Sequence, residues 1–147
     1  MQEKAKRVAL VVGATGLSGS YTGRLLKQNG WTVVSLSRSQ AALDWSDRHI
    51  AADLKDPASA MVALKAATDV THVFFCIWSR EANEEENCRV NAGMVRALFD
   101  GLQAAPLQHV ALVTGLKHYL GSFEDYAKVN LGEVALVDSR SPINQNR

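Results

Sequence analysis

Only two cysteines occur in the 147 residues, Cys76 and Cys88, one inside an apolar run and one in a polar helical stretch. Neither has metal-ligand spacing, and two thiols make no disulfide framework, so a small stapled secreted fold is excluded and a reducing, cytoplasmic location is expected. Charge of one sign is lacking too. Sixteen Lys and Arg stand against 15 Asp and Glu, a formal net charge of +1, and the two signs are interspersed. That leaves no electrostatic footprint for nucleic acid or an anionic membrane surface, and a small-molecule partner is the expectation. No stretch approaches the ~20 apolar residues a bilayer span requires. Lys4, Lys6 and Arg7 before Val8 imitate the start of a secretory signal, but the apolar run behind them is too short and stops at glycines. The four histidines, His49, His72, His109 and His118, show no ligand spacing, and no metal is expected.

What the chain does have begins at residue 8. Val-Ala-Leu-Val-Val runs into Gly13, Gly16 and Gly19, and then into Leu17, Tyr21 and Leu25, spaced for one helical face. The pattern predicts strand, tight turn and helix. Glycine is needed where a backbone turns sharply or approaches a ligand, and a helix start offers unpaired N–H groups with a partial positive charge. A pyrophosphate would be held there, and the inferred ligand is a dinucleotide.

Further apolar runs follow at Trp31 to Leu36, Val70 to Ile77 and His109 to Val113, with a faint one from His49 to Ala52. Helical patterns lie between them. Asp56-Pro57 opens a short one containing Met61, Leu64 and Lys65, since Asp caps and Pro suits a first turn. A longer one runs from about Glu84 to Gln103, with Val90, Met94, Ala97, Leu98 and Leu102 at helical intervals and acids in its first turn. Apolar strands alternating with amphipathic helices predict an α/β fold, a doubly wound parallel sheet of about five strands, Rossmann-like and incomplete toward the C-terminus. The length suits one domain: residues 1–130 form the dinucleotide-binding unit and 131–147 a divergent tail. Gly13, Ser37, Asp53, Ile77 and Thr114 then share one rim, at the carboxyl ends of the strands where ligands bind.

The second strand ends Ser35-Leu36-Ser37-Arg38-Ser39, with no acid to meet a free ribose 2′-hydroxyl and with Arg38 where a 2′-phosphate would lie. This favours NADP(H) over NAD(H). The candidate cofactor contacts are Gly13, Thr15, Gly16, Leu17 and Gly19 in the loop, Ser37 and Arg38 after the second strand, Asp53 and Leu54 after the third, and Trp78 and Thr114 after the last two. Asp53 has two readings, an acceptor for the adenine amino group or a cap for the turn at Lys55-Asp56-Pro57. Trp78 is read either as a wall of the nicotinamide pocket or as core or rim packing. Asn91 is read as a helix-surface amide.

Three segments resemble one family: Asp-Val-Thr-His-Val-Phe-Phe-Cys-Ile-Trp at 69–78, Glu-Glu-Asn-Cys-Arg-Val-Asn at 85–91, and Thr-Gly-Leu-Lys-His-Tyr-Leu-Gly-Ser-Phe at 114–123. They are similar to the progesterone 5β-reductase and iridoid synthase-like enzymes, which are atypical short-chain dehydrogenases. Gly-Ala-Thr-Gly-Leu-Ser-Gly at 13–19 agrees with their nucleotide loop, so the likeness spans about residues 7–128 and corresponds to an amino-terminal part. The resemblance implies NADPH-dependent reduction of an activated carbon–carbon double bond in a small enone or enal. Asn91 matches a family asparagine, which implies a role in supporting the site beside its helix-surface reading, and Lys117 matches the family lysine. An ammonium there would orient the nicotinamide ribose and stabilise enolate charge.

The chain also departs from that family. No segment like the family's Asn-Phe-Tyr-Tyr, which carries the catalytic tyrosine, occurs here, and neither Tyr119 nor Tyr126 has a lysine four residues on. Ile77 stands where a threonine is common, and Ser39 where a second arginine often follows the first. Whether these residues form an enzyme therefore stays open. One reading is an NADP(H)-binding module without turnover; the others are an active enone reductase and a nucleotide-sugar epimerase or dehydratase. The implied substrate is a small molecule with an activated double bond, and association of two copies along an exposed sheet edge is also expected.

Overall fold

Val8–Val12 is apolar throughout and every residue in it is buried, as a strand covered on both faces must be. The computed structural model, which describes residues 7–114, makes it the central strand of a five-stranded parallel sheet. In chain order the elements are β1 (Val8–Val12), α1 (Leu17–Gln28), β2 (Thr32–Ser37), β3 (Arg48–Ala51), α2 (Pro57–Leu64), β4 (His72–Phe75), α3 (Glu84–Gly101) and β5 (His109–Leu112). The strand order is β3-β2-β1-β4-β5. The chain builds outward from β1 in one direction and then returns to build in the other, the doubly wound arrangement the alternating pattern predicts.

The register pairs Ala9 with Val33 and Leu10 with Val34, so alternate residues of β1 and β2 line opposite faces. On one face Val8, Leu10, Val12, Val34 and Leu36 pack with Leu64 of α2 and with Met94 and Leu98 of α3. Each such side chain contributes roughly 1.5–3 kcal/mol on burial. On the other face Val11, Val33 and Trp45 form a smaller cluster with Leu26 of α1.

The caps follow the sequence. The Asp56 side chain accepts a hydrogen bond from Ser59 N, with Pro57 in the first turn of α2. Asn83 accepts from Glu86 N at the start of α3, where three acids occupy the first turn.

Two expectations need correction. The apolar run from Val70 to Ile77 is longer than its strand, His72–Phe75, because Val70 and Ile77 pack with the core without belonging to the strand. Leu17, Tyr21 and Leu25 do lie along one helix, but on its outer side, 90%, 71% and 49% exposed. The helix instead buries Gly19 and Gly23. The absence of side chains at those two positions lets the helix axis come close to the sheet.

Among the described residues no helix is long and apolar enough to cross a membrane. The tail from 131 to 147 lies outside the described residues.

Candidate nucleotide-binding site

Strand β1 sits between β2 and β4, and α1 and α3 leave β1 and β4 over opposite faces. A crevice opens at that switch point. Its floor is the turn from Gly13 to Gly16. Gly13 has φ +84°, a conformation that penalises any other residue, and its N–H donates to Leu36 O at 2.9 Å. A Cβ on Gly13 would stand 2.4 Å from Ile77 Cγ2 and 3.0 Å from the Cys76 carbonyl oxygen. One on Gly19 would stand 2.2 Å from Gly13 O. The first turn of α1 is therefore pressed onto the loop through two positions that only glycine can fill.

Gly16 caps α1 without a side-chain hydrogen bond, so nothing from residue 16 covers the first N–H groups of the helix, which have no intrahelical acceptor. Thr15, Gly16 and Leu17 are exposed at this corner. Backbone donors so placed at a helix start are of the kind that can hold an anion such as a pyrophosphate.

The remaining rim residues fall as follows. Ser37 is buried at the end of β2, and Arg38 beside it is exposed. Arg38 makes no hydrogen bond or ion pair among the described residues. Asp53 spends Oδ1 on Lys55 N at 3.0 Å, so it caps its own turn, and the residue is exposed. The Leu54 side chain is in the core with Ile50 and Leu64, so only its backbone can face a ligand. Trp78 stands out at the rim, 65% exposed, not in the core. Thr114 is exposed just after β5. Lys117 lies outside the described residues.

The loop after β4 is held by α3, and of the two readings of Asn91 the supporting one applies. Asn91 accepts from Ser79 N at 2.9 Å and donates to Ser79 O and Asn87 O, both at 2.8 Å, while Asn87 accepts from Glu81 N at 2.6 Å. Asn91 is thus no solvated surface amide: two α3 side chains replace ladder partners for the loop that carries Trp78. The available signal was the repeat Asn83, Asn87, Asn91, which puts three amides on one helical stripe.

Lys55 pairs with Glu81 at 2.6 Å, joining the loops after β3 and β4. Lys55 and Ser79 together hold the Glu81 carboxyl below its ordinary range. Burial pushes the Cys76 thiol up, against the opposing effect of its contact with Thr22, which makes it an inert wall behind Gly13. Among the described residues no group of three His, Cys, Asp or Glu side chains is placed to hold a metal ion.

A doubly wound sheet with a glycine cradle at its switch point defines a dinucleotide-binding domain of the short-chain dehydrogenase kind. The sequence profile of the NAD dependent epimerase/dehydratase family matches residues 9–143, and the chain belongs to that family. It is 34% identical over 130 residues to an (S)-8-oxocitronellyl enol synthase of Nepeta racemosa, a match covering 81% of this chain and 33% of the relative. It is 35% identical over 127 residues to a 3-oxo-Delta(4,5)-steroid 5-beta-reductase of Arabidopsis thaliana, covering 79% and 32%. The chain spans about a third of the length of these curated relatives.

Among solved structures it is similar to UDP-glucose 4-epimerase from Brucella ovis in complex with NAD, with TM-score 0.62 and 24% identity over 78% of this chain and 37% of that one. An N-terminal ketoreductase from the macrolactin assembly line gives TM-score 0.66 at 15% identity, over 86% and 32%. These last two likenesses concern the fold alone.

Proposed function

We propose that this domain binds NADP(H) and supplies the cofactor half of a reductase acting on small enones or enals. The observation that carries the cofactor choice is Arg38. It is exposed and unengaged among the described residues, it directly follows β2, and no carboxylate stands in the Ser37–Ser39 segment to receive a ribose 2′-hydroxyl. A guanidinium there suits a 2′-phosphate, which it can meet with two parallel N–H bonds.

In this reading Thr15 and Leu17 meet the pyrophosphate through backbone N–H groups, while Gly13, Gly16 and Gly19 let it approach closely, the N–H groups of Gly13 and Gly16 being given to Leu36 O and Gly13 O. Arg38 takes the 2′-phosphate, and Ser37, whose hydroxyl donates to Ser39 O, holds the turn beside it. Asp53 and the Leu54 backbone border the adenine, and Trp78 and Thr114 flank the nicotinamide end. When bound, the nicotinamide supplies a hydride for the β-carbon of the substrate. Lys117, by its match to the family lysine, would orient the nicotinamide ribose and stabilise negative charge on the substrate carbonyl oxygen. The names of the relatives, an enol synthase and a 5-beta-reductase, support that substrate class. The two cysteines, neither in a disulfide, support a cytoplasmic location. Exposed Val110 and Leu112 on β5, an edge strand among the described residues, support association of two copies.

Titration with NADPH and NADH tests the cofactor assignment. Arg38→Ala is expected to weaken NADPH by about 1–3 kcal/mol, roughly 5- to 150-fold, and to leave NADH nearly unchanged. Equal affinity of the unaltered chain for both cofactors would refute it.

A further inference from the structure

The segment between β2 and β3 carries Arg38 and has no helix or strand of its own, so something other than ladder bonds must hold its first residues. The imidazole of His49, on β3, fills that role. Its Nε2 lies 3.1 Å from Ser39 O and 3.2 Å from Ser37 Oγ, and Ser37 Oγ itself donates to Ser39 O at 2.8 Å. The two residues so anchored flank a single residue, Arg38.

The ring is fixed from behind as well. Nδ1 lies 2.7 Å from the hydroxyl of Ser35, a residue with no exposed surface, and Ser35 Oγ accepts from Ser46 Oγ at 2.8 Å. The partners assign the protons. A backbone carbonyl only accepts, so Nε2 carries the hydrogen and donates to Ser39 O; Nδ1 is then the acceptor, and Ser35 donates to it. Ser35 to His49 to Ser39 forms one directed chain in which each bond polarises the next. Ser35 and His49 are register partners of β2 and β3, so the chain is locked to the sheet.

We infer that His49 is a positioning residue for cofactor selection, fixing the Ser37–Ser39 turn so that the Arg38 guanidinium is presented to the 2′-phosphate. This rests on the NADP(H) reading of Arg38. A long, flexible arginine discriminates well only when its backbone is already held, because otherwise part of the contact energy is spent on ordering the turn. His49 touches neither phosphate nor nicotinamide in this arrangement, so its loss changes the preference between cofactors more than dinucleotide binding itself.

The test is the ratio of NADH to NADPH dissociation constants, measured on the 147-residue chain by fluorescence titration. His49→Phe keeps a flat aromatic ring at the position and removes both nitrogens; the ratio is expected to fall about tenfold, with NADH affinity unchanged within about twofold. His49→Gln restores an N–H donor and is expected to keep most of the preference. If His49→Phe does not fold, Ser35→Ala, which frees Nδ1, is expected to lower the ratio by a smaller factor.

An unchanged ratio in His49→Phe, or in Ser35→Ala where His49→Phe does not fold, overturns the inference, and so does a parallel loss of both cofactors, which would mark a purely structural histidine. If Arg38→Ala abolishes the preference while His49→Phe retains it, the positioning role alone falls. If the unaltered chain shows no preference, the Arg38 reading falls with it.

Discussion

The carbonyl oxygen of Gly13 lies where a side chain on Gly19 would have to be, 2.2 Å from the ideal Cβ position. Loop and helix are thus a single packed unit. At Gly16 the same construction leaves 3.3 Å to Gly13 O, a contact that small shifts relieve. Gly19→Ala is expected to destabilise the domain by about 1–3 kcal/mol and to abolish cofactor binding. Gly16→Ala is expected to cost less than half as much. Thermal unfolding and cofactor titration of the two variants side by side check the contrast.

Gly23 is the second close approach, since its Cβ would stand 2.2 Å from Trp45 Cζ3. Trp45 is buried, and its indole Nε1 has no hydrogen-bond partner among the described residues. Gly23→Ala should cost about 1–3 kcal/mol in urea unfolding. Trp45→Phe makes room, so the double variant should be more stable than the sum of the single losses predicts, with a coupling of roughly 0.5–3 kcal/mol. Strict additivity would contradict the contact.

Asn91 makes three hydrogen bonds to the loop after β4 and to its own helix. Asn91→Leu leaves Ser79 N and O without these partners, at a cost of about 1–3 kcal/mol. Hydrogen exchange is expected to speed up at residues 78–81 while the β1 amides keep their protection. Uniform acceleration across the sheet would show global loosening instead.

Acid should weaken the domain in two stages. Burial, the neighbouring His109 and Arg7 all lower the affinity of His72 for a proton below that of an ordinary histidine at 6.5. Below about pH 6.5 the unfolded chain therefore binds more protons than the folded one, and stability falls. His72→Asn should flatten this first stage. Glu81 and Glu86, held low chiefly by hydrogen bonds from Lys55 and Arg89 respectively, contribute stability above their unfolded value of 4.5 that is lost as pH falls below it. Midpoints of urea unfolding between pH 3 and pH 8 check both stages.

The parts of this fold that were legible are those whose signal is local. Val8–Val12 was read to the residue because five consecutive buried apolar positions leave no other reading, and α2 was placed by its Asp56-Pro57 start. The buried side of α1 was misread because apolar periodicity cannot see glycine: Leu17, Tyr21 and Leu25 carry the pattern, while Gly19 and Gly23 carry the contact. The glycine cradle and the place of Arg38 followed from spacing. The role of His49 did not, and that of Asn91 stayed open beside a surface reading, because each acts on backbone brought to it by a strand pairing or a helix return, 10 to 12 residues away in sequence.

The most direct measurement is calorimetric titration of the folded 147-residue chain with NADPH, with Gly19→Ala as its partner. Saturable binding at one site with a dissociation constant on the order of micromolar, near −8 kcal/mol, lost in the variant, is the predicted result. A folded chain that takes up no nicotinamide dinucleotide at millimolar concentration would contradict the account at its root.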